Sequence, residues 1–206
     1  MATRSIGIPI AVAVATVGEL PAGTRARPDA ERRASRLAAR RAIRRITGEQ
    51  GMEGGTIEIR RRAGRSPSAR VRYRYGGENQ RSVALALSHR DGRAAAIAGP
   101  AGALVGVDIE RFDAIDSSHD RLYLTEHERR AAAHTSAVVL WTLKEAAWKA
   151  LQLDGSVGFH ELELHLDDAG EVRGVRCRGQ WYSAVAAVVS PWNGYIMAVL
   201  HLERGR

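Results

Sequence analysis

Asp108 and Glu110 stand two residues apart in the run Gly106-Val107-Asp108-Ile109-Glu110. Glu145 and Lys149 stand four apart in Trp141-Thr142-Leu143-Lys144-Glu145-Ala146-Ala147-Trp148-Lys149. Leu104, Val105, Val107 and Ile109 are apolar or β-branched, so the first run reads as a strand. Side chains on a strand alternate, which turns Asp108 and Glu110 to one side and Val107 and Ile109 into the core. The second run lies in a stretch free of Gly and Pro from Ala137 to Leu153. It reads as a helix that carries Glu145 and Lys149 on one face. Three carboxylates and an ammonium can therefore converge from a strand and a helix. Carboxylate oxygens suit a hard cation such as Mg²⁺, commonly together with the phosphate oxygens of a substrate. Taken singly, each piece has a plainer account: a helix ion pair, and acidic residues facing water at a strand end.

Cation usage weighs against the plainer account. Of 31 lysines and arginines, the only lysines are Lys144 and Lys149, both in this stretch. A lysine ammonium is a compact point charge suited to a phosphate, whereas arginine is a planar fork.

Gly-Val-Asp-Ile-Glu, followed after Arg111–Leu140 by Trp-Thr-x-Lys-Glu-Ala-x-x-Lys, resembles the paired signature of the 4′-phosphopantetheinyl transferases. The resemblance implies an enzyme dependent on Mg²⁺ and coenzyme A. Such an enzyme moves phosphopantetheine onto a serine of an acyl- or peptidyl-carrier protein and releases 3′,5′-ADP. It implies that Asp108, Glu110 and Glu145 hold Mg²⁺ and that Lys149 and His89 bind phosphate oxygens. Glu145 is the first candidate for the base that activates the serine, and Glu128 the second. Lys144 is either a phosphate contact or a surface charge.

The elements around these residues agree with that outline. Ile6–Val17 is an apolar run that suits a buried strand and is too short to span a membrane. It also has the look of a secretory h-region, a reading the resemblance disfavours, since it implies a cytoplasmic enzyme. Asp29–Thr47 reads as a long helix stopped at Gly48, with Leu37, Ile43 and Ile46 on its apolar side. Arg32, Arg36, Arg40 and Arg44 recur every fourth residue as a basic stripe. The stripe is either a solvated face or, as the resemblance implies, a contact to the 3′-phosphate through Arg36 and Arg40. Thr56–Arg62 alternates as a strand. The following Ala63-Gly64-Arg65-Ser66-Pro67 resembles the loop that holds the adenine end of coenzyme A, with Arg65 standing for the family's lysine and Ser66 as an extra residue. An ordinary hairpin turn explains the same letters. Val83–Leu87 is a strand followed by Ser88-His89, a pair that the resemblance places on the coenzyme A phosphates. No Gly-x-Ser-x-Gly accompanies this serine, so a nucleophile elbow is excluded. Ala94–Ala98 returns as a strand after the Asp91-Gly92 turn.

Past Glu110, Arg111–Leu124 has no clear period. Its Phe112, Leu122 and Tyr123 beside Arg111 and Arg121 suit either a carrier docking surface or the cover of the protein's own core. Thr125 and Glu128 have the spacing of a capping box. Glu128 is read as that cap, or else as an acid behind the metal. The remainder is β-rich: Leu162–Leu166, Trp181–Val189 and Tyr195–Leu202, the last two joined at Pro191-Trp192-Asn193-Gly194.

A helix followed by strands thus recurs in each half, split near Gly102. The fold class expected is α+β. The resemblance to the larger, two-lobed transferases of secondary metabolism implies a pseudo-duplication, each lobe a long helix on a small, mostly antiparallel sheet. The lobes would be residues 1–102, with the adenine and phosphate contacts, and 103–206, with the acidic motif. The active site would lie in the cleft between them, and the protein would act as a monomer.

The chain's net charge of +8 points to an anionic partner, and an acidic carrier protein answers it. A nucleic-acid-binding module built on the arginine helix is the alternative, though no known binding motif supports it. One cysteine, Cys177, excludes an internal disulfide.

Overall fold

A computed structural model describes residues 10–21, 23, 29–47, 56–60, 68–72, 80–115, 121–131 and 135–205. The strands are β1 (Ala11–Thr16), β2 (Thr56–Arg60), β3 (Ser68–Arg72), β4 (Gln80–Arg90), β5 (Arg93–Pro100), β6 (Leu104–Arg111), β7 (Leu162–Leu166), β8 (Val172–Cys177), β9 (Gln180–Trp192) and β10 (Tyr195–Arg204). The helices are α1 (Ala30–Thr47), α2 (Glu126–Ala131) and α3 (Ala137–Ala150). The fold is α+β, built on two antiparallel sheets.

The first sheet runs β1-β5-β4-β3-β2 and the second β6-β10-β9-β8-β7. In each, a strand leads to a helix and then to a four-stranded meander whose last strand returns beside the first. Alternation decides what each face covers. Ala13 and Ala15 of β1 turn to α1, which meets them with Ala34, Ala38, Ala39 and Ala42. Val12 and Val14 turn the other way, onto Val105, Val107 and Val199 of the second sheet. Leu140, Leu143, Ala146, Ala147 and Ala150 of α3 pack on Leu162, Leu164, Leu200 and Leu202. The alanine-rich β1 is therefore a strand buried on both sides.

Two-residue turns at Asp91-Gly92 and Asn193-Gly194 close the hairpins nearest the junction, and all four residues have positive φ. That is the backbone a tight hairpin requires. The two tips touch. Tyr195 donates its hydroxyl to Asp91 Oδ2 at 3.0 Å, and the Arg93 guanidinium lies 4.1 Å from the Tyr195 ring centroid.

Several elements differ from expectation. The strand expected over Val83–Leu87 extends to Arg90, so Ser88 and His89 lie within it, on opposite faces, rather than at its end. Pro191 and Trp192 lie within β9 rather than in the turn. Strands β3 and β8 were not foreseen. In β8, Gly174 interrupts the pattern because the Trp181 ring occupies the space of its side chain: a Cβ there would lie 2.3 Å from Trp181 Cζ2. The Gly48 helix stop and the Arg65 loop lie outside the described residues.

Candidate active site

Strand β6 and helix α3 approach unusually closely, and Gly106 is the reason. A Cβ at Gly106 would sit 1.8 Å from the Ala146 carbonyl oxygen. Only glycine lets the helix backbone rest on the strand there. Two residues on along the same face is Asp108, and the helix turn beside it carries Glu145 and Lys149. The closeness sets the geometry: Lys149 Nζ donates to Asp108 Oδ1 at 2.6 Å. The rings of Trp141 and Trp148 pack at 4.8 Å and 4.7 Å on Phe159, and Trp141 also meets the edge of Tyr123 at 4.8 Å. These contacts hold the helix in place, and Trp141 also reaches the Glu110 carboxyl.

Asp108 is 3% exposed. Its Oδ1 accepts a second bond, from the Ser88 hydroxyl on β4 at 2.7 Å, while its Oδ2 is buried without a hydrogen-bond partner. Glu110 is half-buried, its Oε2 also lacks a hydrogen bond, and Arg90 Nε lies 3.5 Å from that oxygen. Burial and then the Asp108 charge push the Glu110 carboxyl above its usual range, with Arg90, Lys149 and Trp141 acting against them. Glu145 is raised as well, first by burial and then by Asp108, with Lys149 opposing and Glu110 adding. The three carboxylates thus share one field, and that field is short of positive charge.

Among the described residues, no three His, Cys, Asp or Glu side chains are already gathered as a metal cage. Two features nonetheless fit a divalent cation. Asp108 Oδ2 and Glu110 Oε2 are buried polar atoms without hydrogen bonds, and the donor set is oxygen only, as Mg²⁺ prefers.

The other expected residues divide into two sets. His89 is exposed, with Nδ1 3.4 Å from Glu31 Oε2 at the start of α1. Arg36 and Arg40 are exposed on the outer face of α1, as are Arg32 and Arg44. Ser88, by contrast, is 8% exposed and spends its hydroxyl on Asp108. Lys144 and Glu128 are each 0% exposed and pair at 2.7 Å. Glu128 closes a capping box, accepting the Thr125 N–H at 2.7 Å while its own N–H donates to Thr125 Oγ1 at 3.2 Å. Its Oε1 accepts the Leu164 N–H at 2.7 Å. Both oxygens are therefore occupied, and the capping reading is the one the geometry favours. Burial holds the Lys144 ammonium below its usual range, with Glu128 acting against that. Lys144 is neither a surface charge nor open to a ligand. In the expected docking loop, Tyr123 is buried in the core, whereas Phe112 and Leu122 are 51% and 70% exposed.

Gly106 and the Tyr195–Asp91 contact were not singled out from the sequence, and Ser88 was singled out for the coenzyme A phosphates rather than for Asp108. A glycine inside a strand pattern was the one available signal, since it marks a close approach of backbone.

No curated protein gives a significant match to the chain. Residues 104–200, which carry Asp108, Glu110, Glu145 and Lys149, nonetheless match the family model of the 4′-phosphopantetheinyl transferase superfamily.

Proposed function

We propose that the protein transfers the phosphopantetheine arm of coenzyme A to a serine of an acyl- or peptidyl-carrier protein and releases 3′,5′-ADP. The observation that carries the reading is the meeting of Lys149 with Asp108 across β6 and α3, beside two half-buried carboxylates whose affinity for protons is raised. Phosphoryl transfer asks for positioning and charge neutralisation rather than covalent help. Asp108, Glu110 and Glu145 would hold Mg²⁺, which would supply positive charge to the pyrophosphate. Lys149 and His89 would bind the phosphate oxygens and stabilise the charge that develops there. Arg36 and Arg40 suit the 3′-phosphate, and Arg65 the adenine end.

The serine needs a base. Glu145 is favoured, because its raised proton affinity suits that task and because both oxygens of Glu128 are occupied. The serine oxygen attacks the phosphorus that bears the pantetheine arm, its proton passes to Glu145, and 3′,5′-ADP leaves.

The identical strand order of the two sheets supports a two-lobed, pseudo-duplicated enzyme whose site lies where the halves meet. Such an enzyme completes its site within one chain and acts as a monomer in the cytoplasm, where coenzyme A is available. The test is intact-mass spectrometry of an apo carrier protein incubated with this protein, Mg²⁺ and coenzyme A. A carrier heavier by one phosphopantetheine is expected, and an unmodified carrier across acyl- and peptidyl-type substrates would refute the reading.

One observation favours a second reading. The four stripe arginines are exposed and form no ion pair among the described residues, whereas Arg33 and Arg41 of the same helix do. A nucleic-acid-binding module would use that stripe. Retention of duplex DNA or RNA at about 0.15 M salt, with no carrier modification, would favour it.

A further inference from the structure

We infer that Ser88 is a positioning residue for Asp108, and that it does not contact the phosphates of the coenzyme. The inference rests on the transferase reading, since it concerns how the cation's carboxylate is held.

Ser88 lies on β4, on the same face as Ala86, which is fully buried against the second sheet. At 8% exposure its hydroxyl faces Asp108 Oδ1 at 2.7 Å. A serine hydroxyl has a single proton to donate. With that proton on Asp108, only lone pairs remain, and these repel phosphate oxygens. A phosphate contact through this hydroxyl and the bond to Asp108 therefore exclude each other.

The consequence for Asp108 is specific. Its Oδ1 receives two donors from two different elements, Ser88 from β4 and Lys149 from α3. Rotating the carboxylate breaks both bonds. Its Oδ2, buried and without a hydrogen bond, is then held as the oxygen available to an ion. The first half of the chain thereby sets the orientation of the second half's acidic group. His89 points to the opposite face, toward Glu31, and is exposed. Of the Ser-His pair, His89 is the member exposed to an anion.

Loss of a group that orients a ligating carboxylate typically weakens metal affinity by about 10–100-fold. The experiment compares the parent with Ser88→Ala, Ser88→Thr and Asp108→Ala. Mn²⁺ affinity is read from the free-ion EPR signal. Affinity for 3′,5′-ADP is read by calorimetry in EDTA, so that no metal contributes. Ser88→Ala is expected to weaken Mn²⁺ binding by about tenfold or more and to leave metal-free 3′,5′-ADP binding unchanged. Ser88→Thr, which keeps a donor, is expected to retain the Mn²⁺ affinity. Parent-like Mn²⁺ binding in Ser88→Ala, beside its loss in Asp108→Ala, overturns the role of Ser88 and leaves the transferase reading standing. Metal-free 3′,5′-ADP binding that falls with unchanged Mn²⁺ affinity overturns it too, and returns Ser88 to the phosphates. A parent protein that binds no Mn²⁺ overturns both this inference and the assignment of Asp108, Glu110 and Glu145 to a cation.

Discussion

The two halves share one strand order and differ in what they place between the first strand and the helix. In the first half, β1 offers Ala13 and Ala15, and α1 answers with four fully buried alanines. That contact is apolar and closed. In the second, Gly106 brings α3 onto β6, but the next same-face position is Asp108, and the helix answers with Glu145 and Lys149. The charges of the first half are turned outward instead. Arg41 reaches around to Glu19 and to the Val14 carbonyl, and Arg45 to the Val12 carbonyl. These guanidiniums cover the free edge of β1, which would otherwise be open to pairing with another strand. In the second half, the free edge of β7 is met by Glu128, through the Leu164 N–H. One architecture thus supports a closed core on one side and a charged, partly unsatisfied site on the other. Topology fixes where a strand meets a helix, and the side chains at that meeting decide whether it is structure or chemistry.

Four sets of substitutions test this contrast. The largest effect is expected from the buried pair. Glu128→Ala strands Lys144 in the core and removes the Thr125 and Leu164 bonds, so it should cost about 3–5 kcal/mol in urea denaturation. Arg41→Ala in the first half breaks a partly exposed pair and should cost only about 1 kcal/mol. Similar losses from the two would erase the distinction between the halves. Replacing both partners, as in Glu128→Gln with Lys144→Met, should recover part of the loss.

Next comes activity. Asp108→Ala should lower the rate of carrier modification by about 10²–10³-fold with the far-UV circular dichroism unchanged. Glu19→Ala, a carboxylate of the first half, should leave the rate within about twofold, because Glu19 only holds Arg41 and the turn at Thr16. An Asp108→Ala protein that is folded and fully active would refute the chemical assignment of the β6–α3 meeting.

A smaller and opposite effect is expected for stability at Glu145. Its folded-state proton affinity is raised, so the folded protein holds more protons than the unfolded chain between the ordinary value of 4.5 and the raised one. Stability from this group is therefore lost as pH rises through that window. Glu145→Gln does not titrate. It should melt at a higher temperature than the parent at neutral pH, and the advantage should vanish as pH falls to 4.5. A neutral-pH melting temperature at or below that of the parent would mean that Glu145 is not strained by its neighbours. Activity should fall in the same variant, the trade expected where a site stores unfavourable charge.

The smallest effect belongs to the arginine stripe. Replacing Arg32 and Arg44 with alanine should leave stability within about 0.5 kcal/mol, since both are exposed and make no ion pair among the described residues. If the stripe meets an anionic partner, the apparent KM for that partner should rise in this variant and converge on the parent value as salt is raised.

Much of the frame was legible. The α1 and α3 helices, the shared face of Asp108 and Glu110, the capping box at Thr125 and the Asp91-Gly92 turn all follow from periodicity or turn chemistry, and the structure contains each. The limits are equally physical. Strand β8 was hidden because Gly174 makes room for a ring from another strand, so its reason lies outside its own sequence. Lys144 was ambiguous because helix geometry rotates it away from Lys149 without telling what it meets.

The sequence by itself determined the local matters: which residues extend, which coil, which turn, and which side chains share a face. These depend on steric and rotameric preferences between near neighbours, and such preferences are written in adjacent letters. Only the tertiary structure decided the pairings. Ser88 reaches Asp108 from another sheet, Lys149 reaches it from a helix, and Lys144 finds Glu128 across the core. Each joins elements whose relative placement is set by the packing of whole faces, and no spacing along the chain encodes that placement. For the same reason the sequence could nominate Ser88 for the coenzyme, while the fold handed its one proton to Asp108.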